Sequence, residues 1–344
     1  MKIQRIEFLD TLRGFAALIV TFHHVFILYK EDFHLIFPKN ALSFFQFISE
    51  LNFVAVLFFF VLSGFSIGLS LAARKNVNWG YYIKRRAQRI LPIYWVALLY
   101  SGWVSVQVLE EPMIWTEFIG NLLFLQSPAV GTQWFAPFAG NGPLWSLSFE
   151  AWFYVLTPCF GFLLIGNRPR PFFLVMGALA LSLFSIAVNS MVFVPILLFL
   201  SYYVVWLMGF LLVEVLRSND VRTEREYFLT IAIAIGVLAA LSLQVDSDTL
   251  NAIYLGCITA MVFAAVVFIS LKRGFAWFIT LPRGLRLTKR LGEGSYALYA
   301  LHMPFLLISK EIEWSFSAMI LGLISLMLGC YYLETFFIAF FRKQ

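Results

Sequence analysis

The first reactive groups in the chain lie inside an apolar stretch. Residues 6–17 read Ile-Glu-Phe-Leu-Asp-Thr-Leu-Arg-Gly-Phe-Ala-Ala, and His23-His24 follow in the same run. Asp10 and Arg13 are three apart, so on a helix they share a face and can pair. Arg13 and His24 are eleven apart, about three turns plus 20°, which points both the same way about 16 Å apart along the axis. His23 points elsewhere. Three polar groups on one face of a buried helix fit a lined, aqueous cavity, because a charge in hydrocarbon costs several kcal/mol unless it meets a partner, water or substrate. A structural ion pair and one satisfied histidine would leave the same pattern.

Three further places carry chemistry. Tyr81 to Tyr94 contains Lys84, Arg85, Arg86 and Arg89, with Arg86 and Arg89 one turn apart. Guanidinium forks near a helix start suit phosphate, although basic residues also anchor helices at membrane surfaces. Asn141 to Tyr154 opens another apolar run with Glu150 about one turn inside. A Glu150–His24 contact would orient and polarise the imidazole. A locally paired carboxylate is the plainer alternative. Gly292 to Pro304 carries Ser295, Tyr296 and His302. His302 is mid-stretch beside a proline that frees a backbone carbonyl.

The elements that must position these groups are transmembrane. The chain of 344 residues is 61% hydrophobic and 13% charged, with a mean hydropathy of +0.84. A soluble domain carries about 25% charged residues, so lipid is the solvent here. A span needs about 20 apolar residues. Ten such stretches occur, at roughly 7–29, 44–71, 86–108, 146–165, 171–190, 195–216, 227–245, 249–271, 293–311 and 315–341. The expected fold is all-α, one membrane domain over residues 1–344 with no soluble domain. The piece Ile114 to Gln126 is too short to span and reads as an interfacial or re-entrant helix. The N-terminal run holds Asp10, Arg13, His23 and His24 and no small-residue cleavage site, so it is expected to stay in the mature protein.

Threading ten spans with the N-terminus inside puts three of the 25 Lys and Arg outside (Lys30, Lys39 and Lys310), one (Arg13) within a span, and all the others inside. That asymmetry predicts cytoplasmic termini. The net charge of +6 is then mostly topology and is no sign of nucleic acid. Cys159, Cys257 and Cys330 are scattered in apolar runs, with neither disulfide nor metal spacing. They are expected to be small buried residues. Phe58-Phe59-Phe60 and Ser63-Gly64-Phe65 read as helix packing around small residues. Trp115, Trp134, Phe135 and Phe138 in the long loop could stack on a sugar or form an interfacial plug.

Taken together, these motifs resemble the membrane acyltransferase-3 family, bacterial O-acyltransferases of surface polysaccharides. The resemblance covers Leu-Asp-x-Leu-Arg-Gly with Arg13 and His24 eleven apart, Phe-Phe-x-Leu-Ser-Gly-Phe at 59–65, Arg86-x-x-Arg89, Leu-Trp-Ser-Leu-Ser-x-Glu at 144–150 and Ser-Tyr-x-Leu-Tyr-x-x-His-x-Pro at 295–304. It implies about ten helices in a bacterial inner membrane. It implies transfer of an acyl group, usually acetyl, from cytoplasmic acetyl-coenzyme A to a sugar hydroxyl of a polysaccharide or its lipid-linked precursor. Arg13, His24 and Glu150 would be catalytic. Arg86 and Arg89, with Arg85 and Arg13, would hold the donor. Asp10, His302, Ser295 and Tyr296 would support them, with no metal. His24 would act as general base or be transiently acylated. The chain ends soon after the tenth stretch, so no esterase-like extracytoplasmic domain of the kind some relatives carry is expected. The chain, as a monomer or a homo-oligomer, would then complete transfer to the acceptor alone or hand over to a separate extracytoplasmic partner. A transporter or channel, and an acyltransferase for a small molecule, remain the competing readings.

Overall fold

A computed structural model of the chain describes residues 7–72, 74, 76–128, 134–160, 170–218, 220–272 and 286–342. Among the described residues there are fourteen α-helices, one short 3-10 turn and no strand. In chain order the helices are α1 (Glu7–Leu28), α2 (Lys30–Ile36), α3 (Lys39–Glu50), α4 (Asn52–Ala72), α5 (Trp79–Gln107), α6 (Trp115–Leu122), α7 (Leu144–Cys159), α8 (Pro171–Met191), α9 (Pro195–Ser218), α10 (Val221–Ser242), α11 (Asp248–Lys272), α12 (Arg286–Glu293), α13 (Ser295–Glu311) and α14 (Phe316–Arg342). Eight segments are long and apolar enough to cross a bilayer: α1, α3 with α4, α5, α8, α9, α10, α11 and α14. Helices also stand at the other two expected stretches, but α7 has 16 residues and α13 has 17. The expected end of the fourth stretch, 161–165, lies outside the described residues. So do Lys2, Arg5, Lys75, Arg168, Arg273, Arg283 and Lys343.

Local chemistry sets several of the boundaries. Asn78 caps α5 by accepting from the Tyr81 amide at 2.9 Å. The helix therefore begins at Trp79, seven residues before the expected start at Arg86, and Arg86 and Arg89 project from within it. Asp220 accepts from the Arg222 and Thr223 amides, both at 3.1 Å, and starts α10. The second expected stretch is interrupted: α3 ends at Glu50, Leu51 makes a turn, and α4 begins at Asn52.

Helices pack closest where glycine removes the side chain. A Cβ on Gly64 of α4 would collide with the Trp206 carbonyl oxygen, and one on Gly209 of α9 with the Val61 carbonyl oxygen. The two backbones are thus in direct contact, a packing mode favoured where lipid supplies no hydrophobic drive between helices. Gly292 does the same for α1, since a Cβ there would collide with the Asp10 carbonyl oxygen. The charged turn of α1 is therefore seated on the end of α12.

The described residues between α5 and α7 pack against one another. Asn121 donates to the Glu117 and Ala136 carbonyls at 2.9 and 2.8 Å and accepts from the Phe138 amide at 3.0 Å. Phe138 is buried at the edge of Phe118, and Phe135 lies against Gly120. Trp115 and Trp134 stay exposed. Cys257 and Cys330 are buried as expected, but Cys159 is exposed on the outward face of α7, a correction to the burial expected for all three.

Candidate functional site

One cavity gathers most of the charged motifs. It is lined by Arg13 of α1, Ser63 and Ser66 of α4, Arg86 and Arg89 of α5, Glu150 and Tyr154 of α7, and Ser295, Tyr296 and Tyr299 of α13. Its cavity volume is about 60 Å³. Five segments far apart in sequence supply these groups, and three guanidinium groups face one carboxylate, so the chamber is electropositive.

The three arginines differ in how they are held. Arg13 donates to Asp10 at 2.9 Å and to the Ser66 hydroxyl. The Asp10–Arg13 pairing read from the spacing is therefore present, and it fixes the guanidinium. Among the described residues, neither Arg86 nor Arg89 donates a hydrogen bond. Arg86 lies over the rings of Tyr82 and Tyr154, 5.9 and 5.8 Å from their centroids, and its Nε is buried without a partner. Arg89 sits in the field of Glu334, Glu150 and Asp10. Two guanidinium groups with uncommitted N–H donors on a cavity wall suit an anion with several oxygens, such as a phosphate. Arg85 is exposed and does not line the cavity.

Glu150 is held from one side. Its Oε1 accepts from the Tyr154 hydroxyl at 2.5 Å and from Ser63 at 3.0 Å. Tyr154 also accepts from Ser63, at 3.1 Å, and the Trp206 indole donates to Ser63 at 3.3 Å. The motif Ser63-Gly64 thus does two jobs. Gly64 sets the helix approach, and Ser63 faces the chamber, which corrects its reading as packing alone. Phe59 and Phe60 likewise form part of the cavity wall. The expected contact between Glu150 and His24 is not formed among the described residues. Glu150 reaches toward α4 and stays with the arginines.

His24 instead meets His302 of α13. His302 Nε2 lies 3.2 Å from His24 Nδ1. His24 Nδ1 is also 2.8 Å from the Val20 carbonyl, and His302 Nδ1 is 3.0 Å from the Leu298 carbonyl. A carbonyl only accepts, so each Nδ1 carries the proton. His302 Nε2 then accepts from His24, and the two acceptors leave His24 Nε2 with a free lone pair. Among the described residues that nitrogen has no partner. His302 is fully buried, so its ring is fixed. Tyr299 links the pair to the cavity, with its ring 6.1 Å from that of His302 and its hydroxyl 2.7 Å from Ser146.

His23 does point elsewhere. Its Nδ1 lies 2.8 Å from the Ser49 hydroxyl and 3.0 Å from the Asn52 amide nitrogen, at the α3–α4 turn. Arg13 reaches Ser66 of α4 and shares the cavity wall with Ser295 and Tyr296 of α13, while His24 meets His302 of α13. Ser295 itself donates to the Gly292 carbonyl at 2.8 Å, and Tyr296 to the Ile90 carbonyl at 3.2 Å, tying α13 to α12 and α5. The carbonyl freed by Pro304 is that of Ala300, and Asn141 donates to it at 3.0 Å. Among the described residues no group of three His, Cys, Asp or Glu could hold a metal ion.

Spacing did not single out Tyr154, Ser63, Ser66, Tyr299 or Glu334 as site residues. Glu334 of α14 is buried, accepts from the Ala297 amide at 3.3 Å, and is the foremost charge acting on Arg89. Its one sequence signal is a carboxylate eight residues from the end of an otherwise apolar helix.

Comparison with known proteins bears on the same stretch of chain. A family described as "Acyltransferase domain" matches residues 6–335. The acyltransferase MdmB of Streptomyces mycarofaciens is 30% identical over 161 residues, which is 46% of this chain and 39% of that protein. The matched part thus spans well under half of that relative's length. No solved structure matches the chain.

Proposed function

This chain belongs to the acyltransferase-domain family, and from that premise we propose that it is a multi-pass membrane enzyme moving an acyl group from acyl-coenzyme A to a sugar hydroxyl. The observation that carries the proposal is the electropositive cavity in which Arg86 and Arg89 keep their donors uncommitted. Those groups would hold the donor's phosphates. Arg13, pinned by Asp10 and Ser66, and Glu150, pinned by Tyr154 and Ser63, would shape the chamber along which the thioester arm extends toward His24.

At His24 the free Nε2 lone pair would take the proton of the acceptor hydroxyl. The hydroxyl oxygen would bond to the thioester carbonyl carbon, the carbon–sulfur bond would break, and the proton would pass to the departing thiolate. The Val20 carbonyl, with His302 as a second acceptor from Nδ1, would hold the tautomer that this step needs. In this reading α7 and α13 complete ten spans. The charge asymmetry supports cytoplasmic termini and a cytoplasmic Arg86–Arg89 mouth, and the family resemblance favours a bacterial inner membrane. Acetyl-coenzyme A and a surface polysaccharide or its precursor are the donor and acceptor that the family resemblance favours.

Acetyl-coenzyme A binding to the purified protein tests the proposal. Each charge-assisted hydrogen bond is worth about 1.5–3 kcal/mol, or roughly 10- to 100-fold in affinity. Arg86→Ala and Arg89→Ala should each weaken binding by about that factor, and rising salt should weaken it in the parent. Unchanged affinity in both variants would overturn the reading.

A further inference from the structure

Neither His24 nor His302 lines the charged chamber. What stands between the chamber and the histidines has the same order on two helices. On α4, Ser66, Ser63, Phe59 and Asn52 share one face, at spacings of three, four and seven. Ser66 meets Arg13, Ser63 meets Glu150 and Asn52 meets His23. Phe59 therefore lies between the chamber level and the histidine level. On α13 the order is Ser295, Tyr299, His302, at spacings of four and three. Ser295 lines the chamber and His302 meets His24, so Tyr299 holds the matching place.

The two aromatic side chains meet edge to face, with ring centroids 5.5 Å apart at 73°. Both line the chamber, and the Tyr299 ring is 6.1 Å from that of His302. They form the chamber's wall on the histidine side. One half of that wall is fixed: Tyr299 is buried and its hydroxyl lies 2.7 Å from Ser146. The other half, Phe59, is only half-buried and has no polar atom to tether it. Between Arg13 and His24 the same face of α1 carries Ala17 and Val20, which are smaller and buried. The aromatic rings thus supply the bulk at this level.

The space they close off is small. A cavity of about 60 Å³ holds about four waters at roughly 15 Å³ each. An acetyl thioester end (two carbons, an oxygen and the sulfur) is of that size. A longer acyl chain needs room that the Phe59 ring occupies.

We propose that Phe59 sets the length of the acyl group that can reach His24, with Tyr299 as the fixed wall opposite. The inference rests on the acyl-transfer reading, in which the thioester arm extends toward His24. The acyl carbonyl must come up to His24 Nε2, so its alkyl part lies at the Phe59 level. A methyl asks least of that space, and each further methylene must displace the ring. Phe59 is then a specificity-determining residue, a role distinct from the packing and Glu150-holding roles of Gly64 and Ser63 in the same motif.

The test uses inside-out vesicles carrying the full chain, supplied with acetyl-, propionyl- or butyryl-coenzyme A. Release of free coenzyme A thiol is followed with a thiol reagent, and release by His24→Ala vesicles is subtracted. One methylene in a filled pocket is worth about 10- to 200-fold, so the parent should use propionyl roughly tenfold and butyryl roughly 100-fold less well than acetyl. Phe59→Ala should bring butyryl to within about threefold of acetyl, and Phe59→Leu, gentler on packing, should do the same for propionyl. Phe58→Leu, whose parent ring packs on Phe263, should keep the parental preference. Destabilisation alone would slow all three donors alike and leave their ratios unmoved. Unmoved ratios in both Phe59 variants, or a parent that uses butyryl as well as acetyl, would overturn this inference alone. No thiol release by the parent from any donor would sink the acyl-transfer reading and this inference with it.

Discussion

His302→Leu tests whether His302 positions the proposed base, His24, or itself reacts. In the parent, His24 Nδ1 has two acceptors, the Val20 carbonyl at 2.8 Å and His302 Nε2 at 3.2 Å. Leucine removes the longer one and keeps the other, so the tautomer with a free Nε2 survives. One neutral hydrogen bond contributes about 0.5–1.5 kcal/mol net. If all of that is felt at the transition state, turnover falls roughly 2- to 10-fold. The fall should appear in kcat, with the KM for acyl-coenzyme A unchanged, since the proposal puts the donor's phosphates with Arg86 and Arg89. The assay is steady-state transfer by purified protein, with thermal stability measured alongside because His302 is fully buried. Turnover as low as that of His24→Ala, in a protein that still folds and binds donor, would refute the reasoning. His302 would then itself be the reacting group.

Three other outcomes follow from the geometry. Tyr154→Phe removes a donor 2.5 Å from Glu150 but leaves the ring beneath Arg86, so turnover should drop roughly tenfold or more while donor affinity holds within about threefold. Kinetics and equilibrium binding on one preparation check both halves. Asn141→Ala strips the donor from the Ala300 carbonyl and from Ser101, each at 3.0 Å, and should destabilise the fold by about 1–3 kcal/mol, seen as a lower unfolding midpoint in detergent. Gly64→Val forces α4 off the Trp206 carbonyl and should cost about 1–3 kcal/mol, with a matching loss of monodisperse protein on size exclusion.

Much of this arrangement was legible in the letters. Helix periodicity alone paired Asp10 with Arg13 and separated His23 from His24. A proline rule foretold a freed carbonyl, which proved to be that of Ala300. Hydropathy placed a helix at each of the ten stretches. What pattern could not supply was contact between distant segments. Nothing in the spacing of Glu150 says that it turns to Ser63 and away from His24. His24 and His302 are 278 residues apart, and single-sequence reading has no term for such pairs. Boundary errors had local causes. The Asn78 cap lengthened α5, and one turn at Leu51 split the second stretch. The buried carboxylate of Glu334 was visible in sequence, but its weight comes from Arg89, a residue on another helix.

The most direct test of the central claim is acyl transfer across the membrane. On the proposed topology, inside-out vesicles carrying the protein would expose the Arg86–Arg89 mouth to radiolabelled acetyl-coenzyme A, and label incorporated into native envelope glycans is counted. The account predicts incorporation by the parent, none by Arg13→Ala or His24→Ala, and most of the parent rate by His23→Ala, with His24→Ala still binding donor. Parental incorporation by His24→Ala, or equal loss in His23→Ala and His24→Ala, would contradict it.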